Sequence, residues 1–177
     1  MNLPNKLTVT RILAVPFIIV SLYLNTAWSN ILATVLFCIA AFTDFLDGYL
    51  ARKNKIVTDF GKLLDPVADK LLVLSTLIML VDCRLMIAWP VILILAREFS
   101  VDGLRLIAAS KGQVIAAGKL GKIKTCSQIG LMLWLMISRI AVCDSMIGII
   151  LTAWVCFITL WSGVDYFRLN KNVISSK

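Results

Sequence analysis

Six runs of about 20 mostly apolar residues dominate this chain, and a helix needs about that length to cross a membrane. They cover 7–25, 29–49, 62–81, 85–107, 124–142 and 145–167. Each run is continuous. It lacks the strict alternation of a membrane β-barrel strand, so helices are predicted. Six spans take up most of the 177 residues and leave no room for a separate soluble domain. The expected fold is all-α: a polytopic integral membrane protein with six transmembrane helices, forming a single transmembrane domain over 1–177. No Ala-x-Ala-like site follows the first run, so it reads as a retained span rather than a cleaved signal peptide.

Composition supports this. Hydrophobic residues make up 60% of the chain and charged ones only 16%, which excludes an ordinary soluble domain and a disordered one. The charge is lopsided, with 18 Lys and Arg against 10 Asp and Glu. Basic residues gather in alternate links: Lys6 and Arg11, then Arg52 to Lys62, then Lys111 to Lys124, then Arg168 to Lys177. The links between are nearly bare. Basic loops stay cytoplasmic, so both termini are expected inside. The chain has no His, which excludes His-based catalytic triads and His-ligated metals. Its five Cys form no CxxC pair, so zinc and redox chemistry have little support. Cys83 and Cys143 both fall near the non-cytoplasmic face, where either packing or a disulfide would suit them.

The acids are the anomaly. A carboxylate in a spanning helix costs roughly 2.5–3.5 kcal/mol on insertion scales, so it normally faces a cavity, a partner or a metal. Asp44 and Asp47 are three apart at the cytoplasmic end of the second span; Asp65 and Asp69 are four apart at the start of the third. Each spacing puts a pair on one helix face. The short polar link 52–61 makes the two helices antiparallel neighbours, so the four carboxylates can converge. Converged carboxylates repel, and divalent cations relieve the repulsion. Oxygen ligands alone favour Mg2+, Mn2+ or Ca2+ over zinc, and Mg2+ commonly completes its shell with substrate phosphate. Gly48 and Gly61 allow a ligand close to the backbone. Arg52, one turn beyond Gly48, can hold a phosphate. Paired intramembrane acids also mark cation and proton transporters. Structural ion pairs with Arg52 or Lys70 are a further reading, as is a helical interaction protein, although the latter needs neither ordered acids nor glycines.

Asp44-Phe-Leu-Asp47-Gly48-Tyr-Leu-Ala51-Arg52, eight residues, Gly61, three residues, Asp65, three residues, Asp69 resembles the signature of the CDP-alcohol phosphotransferases. Every fixed position is present at the expected spacing. The resemblance implies a six-helix membrane enzyme, usually a homodimer, that moves a phospho-alcohol group from a CDP-linked donor to an acceptor hydroxyl and releases CMP. It implies that Asp44, Asp47, Asp65 and Asp69 hold two divalent cations, Mg2+ or Mn2+. Asp69 would also serve as the catalytic base, and Asp47, Gly48, Arg52 and Gly61 would bind the CDP donor.

Further segments resemble the bacterial phosphatidylglycerophosphate synthase branch of that family. They are the stretch from Asn2 to Arg11, Gly61 to Lys70, Arg97-Glu98-Phe99, Leu104-Arg105, and Gly121-Lys122-Ile-Lys124-Thr125. That branch implies CDP-diacylglycerol as donor and sn-glycerol 3-phosphate as acceptor; another acceptor, such as inositol phosphate, would use the same chemistry. A small dianionic acceptor needs a basic pocket. Arg97, Arg105, Lys122 and Lys124 flank the cytoplasmic ends of spans four and five and can supply one. Arg97 sits deep in an apolar run, where a cation needs a reason. Lys111 and Lys119 read equally well as positive-inside residues beside anionic lipid. Asn5, Thr8 and Arg11 are expected to line the entrance for donor or acceptor.

Overall fold

The computed structural model describes residues 3–54, 59–113, 115, 118–141 and 145–171; inside its helices the side chains of 3–6, 45–54, 59–63, 65 and 145 lie outside the description. Among the described residues six helices follow in order: α1 (Leu3–Leu24), α2 (Ala27–Asn54), α3 (Asp59–Asp82), α4 (Ala88–Ser110), α5 (Lys119–Ser138) and α6 (Ser145–Leu169). No strand occurs among the described residues. Each predicted run is a helix, and the differences are at the ends. α2 continues through Asp47, Gly48 and Arg52 to Asn54, and α3 already starts at Asp59, so Arg52 and Gly61 are helical rather than part of a link. A hydropathy boundary marks where apolar character stops, which is not where backbone hydrogen bonding stops. α5 begins at Lys119 and ends at Ser138, shifted toward the N-terminus from the expected 124–142.

Among the described residues three helices carry a segment long and apolar enough to cross a membrane: Leu7–Leu24 of α1, Ala27–Asp44 of α2 and Met146–Leu169 of α6. α3, α4 and α5 have comparable length but are interrupted by charges: Asp65, Asp69 and Lys70 on α3, Arg97, Glu98, Asp102 and Arg105 on α4, and Lys119, Lys122 and Lys124 on α5. Large apolar side chains are exposed on all six helices, among them Phe17, Trp28, Ile78, Trp89, Phe99, Ile123 and Trp161. Water would penalise so much apolar surface, whereas lipid does not. Hydroxyls within the helices bond back to their own backbone. Thr34 donates to the Asn30 carbonyl at 2.8 Å, Thr76 to Leu72 at 2.8 Å and Thr152 to Gly148 at 2.7 Å. This satisfies polar groups without water.

The chain forms two compact units: Met1–Met86 with Met132–Cys143, and Ile87–Leu131 with Asp144–Lys177. In the first, α1 packs on both α2 and α3. The buried face of α1 is Thr8, Arg11, Val15, Ile18 and Leu22, a repeat of three and four residues. On α2 the same rhythm buries Asn30, Ala33, Phe37 and Ala40, and one turn later reaches Asp44. On α3 it buries Ala68, Leu72, Thr76 and Leu80. Small residues at Ala33, Ala40 and Ala68 let the helix backbones approach closely.

The links are tight. Asn25 takes a left-handed conformation (φ 51°) to end α1. Thr26 and Ser29 then cap α2 reciprocally: the Ser29 amide donates to Thr26 Oγ1 at 3.2 Å, and the Thr26 amide to Ser29 Oγ at 2.9 Å. Arg84 (φ 59°) closes α3, with the Leu85 amide donating to the Leu80 carbonyl at 3.0 Å. The Arg139 guanidinium donates to Asn25 Oδ1 at 3.1 Å and also contacts Cys83 Sγ, joining three chain segments at this end of the unit. Cys143 lies outside the described residues, and with it any pairing with Cys83. In the second unit α4 packs on α6, and Val101, Leu104, Ala108 and Tyr166 form its core cluster.

Phe37 is fully buried and Phe42, five residues on, is mostly exposed. Phe37→Ala is expected to destabilise the protein by about 3–5 kcal/mol through loss of packing. Phe42→Ala should change stability by no more than about 0.5 kcal/mol. Thermal unfolding of both variants in detergent checks the contrast.

Candidate active site

The acids extend the apolar stripes that pack the first unit. Asp44 continues the α2 stripe one turn past Ala40. Asp65 and Asp69 flank Ala68, at the start of the α3 stripe. Pro66 follows Asp65 inside α3, so that position offers no amide to the carbonyl one turn back. Asp44 and Asp69 are both partly buried. The backbones of Asp47, Gly48, Arg52, Gly61 and Asp65 lie within α2 and α3, while their side chains are outside the described residues. Each acid pair therefore sits within about one turn of a continuous helix.

Arg11 is a cation that meets the first of these acids. Its Nη1 lies 2.5 Å from Asp44 Oδ1, with the Arg11 side chain 1% exposed and that of Asp44 42% exposed. Sequence reasoning named Arg11 only for an entrance. Its register on α1 holds the better signal: Arg11 falls on the Thr8–Val15–Ile18–Leu22 face, so it must be buried wherever α1 packs. Thr8 is buried in the same stripe.

Four carboxylates and no His make a donor set that fits a hard divalent cation. Among the described residues no group of three or more acidic, Cys or His side chains comes together; Asp47 and Asp65 are not among them.

The residues expected to bind the acceptor phosphate lie in the second unit. Glu98 Oε1 accepts from Arg97 Nη1 at 3.2 Å and also from Lys124 Nζ. Lys124 is buried, as is most of Arg97. Arg105 Nε donates to the Tyr166 hydroxyl at 3.0 Å, and its guanidinium stands 5.5 Å from the centre of the same ring. Lys122 is exposed. Arg97 and Lys124 are thus brought together, joined by a Glu98 that sequence reasoning treated only as a neighbour. Tyr166 was missed altogether. Its only sequence signal was a polar-tipped aromatic near the end of the last helix.

A sequence model of the CDP-alcohol phosphatidyltransferase family matches residues 1–161. The chain is 43% identical over 194 residues to a Bacillus subtilis protein, covering 99% of this chain and 98% of that one. It is 42% identical over 174 residues to a Rickettsia bellii protein, covering 96% of each. A Salmonella choleraesuis protein is 36% identical over 169 residues, covering 93% of this chain and 92% of its own. Each of the three is named as a CDP-diacylglycerol–glycerol-3-phosphate 3-phosphatidyltransferase. The chain belongs to the CDP-alcohol phosphatidyltransferase family.

The asymmetry of the Arg11–Asp44 pair gives a directional expectation. Asp44→Asn leaves a buried guanidinium against a neutral amide, whereas Arg11→Met removes the buried charge and leaves a half-exposed carboxylate. In chelator-treated protein, Asp44→Asn should cost more stability, by about 1–3 kcal/mol, than Arg11→Met. The double variant should recover much of the loss. Melting midpoints of the four proteins in detergent form the cycle that checks this.

Proposed function

We propose that this protein transfers the phosphatidyl group of CDP-diacylglycerol to sn-glycerol 3-phosphate, giving phosphatidylglycerophosphate and CMP in phospholipid synthesis. The observation that carries the reading is the match, along nearly the whole of both chains, to relatives bearing that enzyme's name. The acid signature on α2 and α3 supports it.

In this reading residues 1–177 act as one catalytic transmembrane domain. It has six spans, both termini in the cytoplasm, and works as a homodimer in the cell membrane with its active site facing the cytoplasm. Alternating basic and bare links support the topology. The donor's acyl chains stay in lipid while its head reaches the polar ends of α2 and α3. Gly48 and Gly61 leave room for the cytidine diphosphate, and Arg52 and Asp47 orient it. Asp44, Asp47, Asp65 and Asp69 would hold two divalent cations, Mg2+ or Mn2+, whose positive charge would offset that of the diphosphate and the departing CMP. Arg97, Arg105, Lys122 and Lys124 take the acceptor's phosphate and leave its free primary hydroxyl to react with the donor's lipid-side phosphorus. The new P–O bond forms as the bond to CMP breaks. Asp69 accepts the hydroxyl proton, which becomes more acidic as the oxygen bonds to phosphorus. Pairing Arg105 with Tyr166 restricts its guanidinium before substrate arrives.

Purified protein supplied with CDP-diacylglycerol and Mg2+ or Mn2+ should release CMP with glycerol 3-phosphate and not with inositol phosphate, serine or no acceptor. Release with inositol phosphate alone would replace the acceptor; ion flux from vesicles without CMP release would replace the enzyme by a transporter. Asp65→Asn and Asp47→Asn should each lower turnover by at least about a hundredfold while the protein stays folded. Arg105→Ala should raise the acceptor KM more than the donor KM.

A further inference from the structure

Arg97 and Glu98 are consecutive on α4, and consecutive helical side chains point about 100° apart. Their contact requires both to swing to one side, and what lies on that side is Lys124 of α5, bonded to the same Glu98 oxygen. The side chains of Glu98 and Lys124 are 19% and 5% exposed, so one carboxylate ties two cations in a largely water-free setting. Glycines shape the space around Arg97. A methyl group on Gly163 of α6 would lie 3.2 Å from Arg97 Cγ, and one on Gly121 of α5 would lie 3.8 Å from its Nη2. The Arg97 stem therefore lies against Gly163, with its guanidinium beside Gly121. Arg97 Nε is buried without a hydrogen-bond partner. One turn beyond Lys124, Gln128 is buried with its Nε2 likewise unpartnered. A structural ion pair would be expected to satisfy its donors; a guanidinium left with an unused buried N–H suits a ligand that accepts hydrogen bonds.

We propose that Glu98 is a positioning residue: its carboxylate holds Arg97 and Lys124 at the separation and orientation with which they grip the acceptor's phosphate. This rests on the reading of Arg97 and Lys124 as acceptor-phosphate residues. Without the carboxylate the two cations repel, and each regains freedom that phosphate binding must then remove. Removing a negative charge by itself would favour a dianion, so the two effects oppose in sign and the direction of the KM change separates them.

The test measures CMP release by the full-length protein in mixed micelles, varying glycerol 3-phosphate and CDP-diacylglycerol separately. Glu98→Gln should raise the acceptor KM about tenfold or more, with kcat and donor KM within about threefold of wild type. Glu98→Asp, which keeps the charge, should recover part of the loss. Gly163→Ala leaves every charge in place but crowds Arg97 Cγ by a few tenths of an ångström, and should also raise the acceptor KM selectively; if Glu98→Gln fails to fold, the acceptor KM of Glu98→Asp decides the matter, a wild-type value overturning the proposal. An unchanged or lower acceptor KM in Glu98→Gln overturns the proposal, since Glu98 would then be a bystander or a competitor of phosphate. So does a fall in kcat with both KM values raised in parallel and a lower melting temperature, which marks a purely structural bridge. If wild-type protein releases no CMP with glycerol 3-phosphate, the underlying reading fails first, before any variant is compared.

Discussion

The dominant constraint is the cost of charge in an apolar interior. It explains why Arg11 of α1, Asp44 of α2 and Arg97 and Glu98 of α4 are engaged rather than scattered. Arg11 is almost fully buried and is joined to Asp44. Arg97 and Lys124 share Glu98. Each cation is held where a carboxylate meets it, and each assembly sits where an apolar helix face gives way to polar residues. Stability and chemistry therefore compete for the same side chains. A buried ion pair contributes little net stability compared with well-packed apolar groups of similar volume. Retaining such pairs is easier to understand if they serve binding.

Packing and site share one helical rhythm. The spacing that buries Val15, Ile18 and Leu22 on α1 also buries Thr8 and Arg11, and the spacing that buries Phe37 and Ala40 on α2 leads to Asp44. Small residues set how closely α1, α2 and α3 can pack, and that closeness sets the reach from Arg11 to Asp44. A change in the core is then felt at the acids through helix position. The capped Thr26–Ser29 turn reinforces this by fixing the register between α1 and α2.

The second unit solves the same problem differently. Where the first sets a buried arginine against a half-exposed carboxylate, the second has one acid between two bases, with glycines making room for the longest side chain. Arg105 uses an aromatic partner in place of a carboxylate. Tyr166 therefore serves both the apolar cluster with Val101 and Leu104, through its ring, and a cation, through its hydroxyl.

Much of this protein was legible locally. Six apolar runs determined six helices, because a long apolar run in a membrane must satisfy its backbone within itself. The spacing of Asp44, Asp47, Asp65 and Asp69 determined which helix ends carry the acids, because three- and four-residue steps are a property of the helix alone. Helix ends were misplaced at Arg52, Gly61 and Lys119, because polar residues extend a helix as readily as apolar ones once it is nucleated. What only the tertiary structure decided is which charges meet. Arg11 meets Asp44, Glu98 bridges Arg97 to Lys124, and Tyr166 receives Arg105. These partners are far apart in sequence. Their meeting depends on how helix faces turn toward one another, and that is set by the sum of many packing contacts, not by any local spacing.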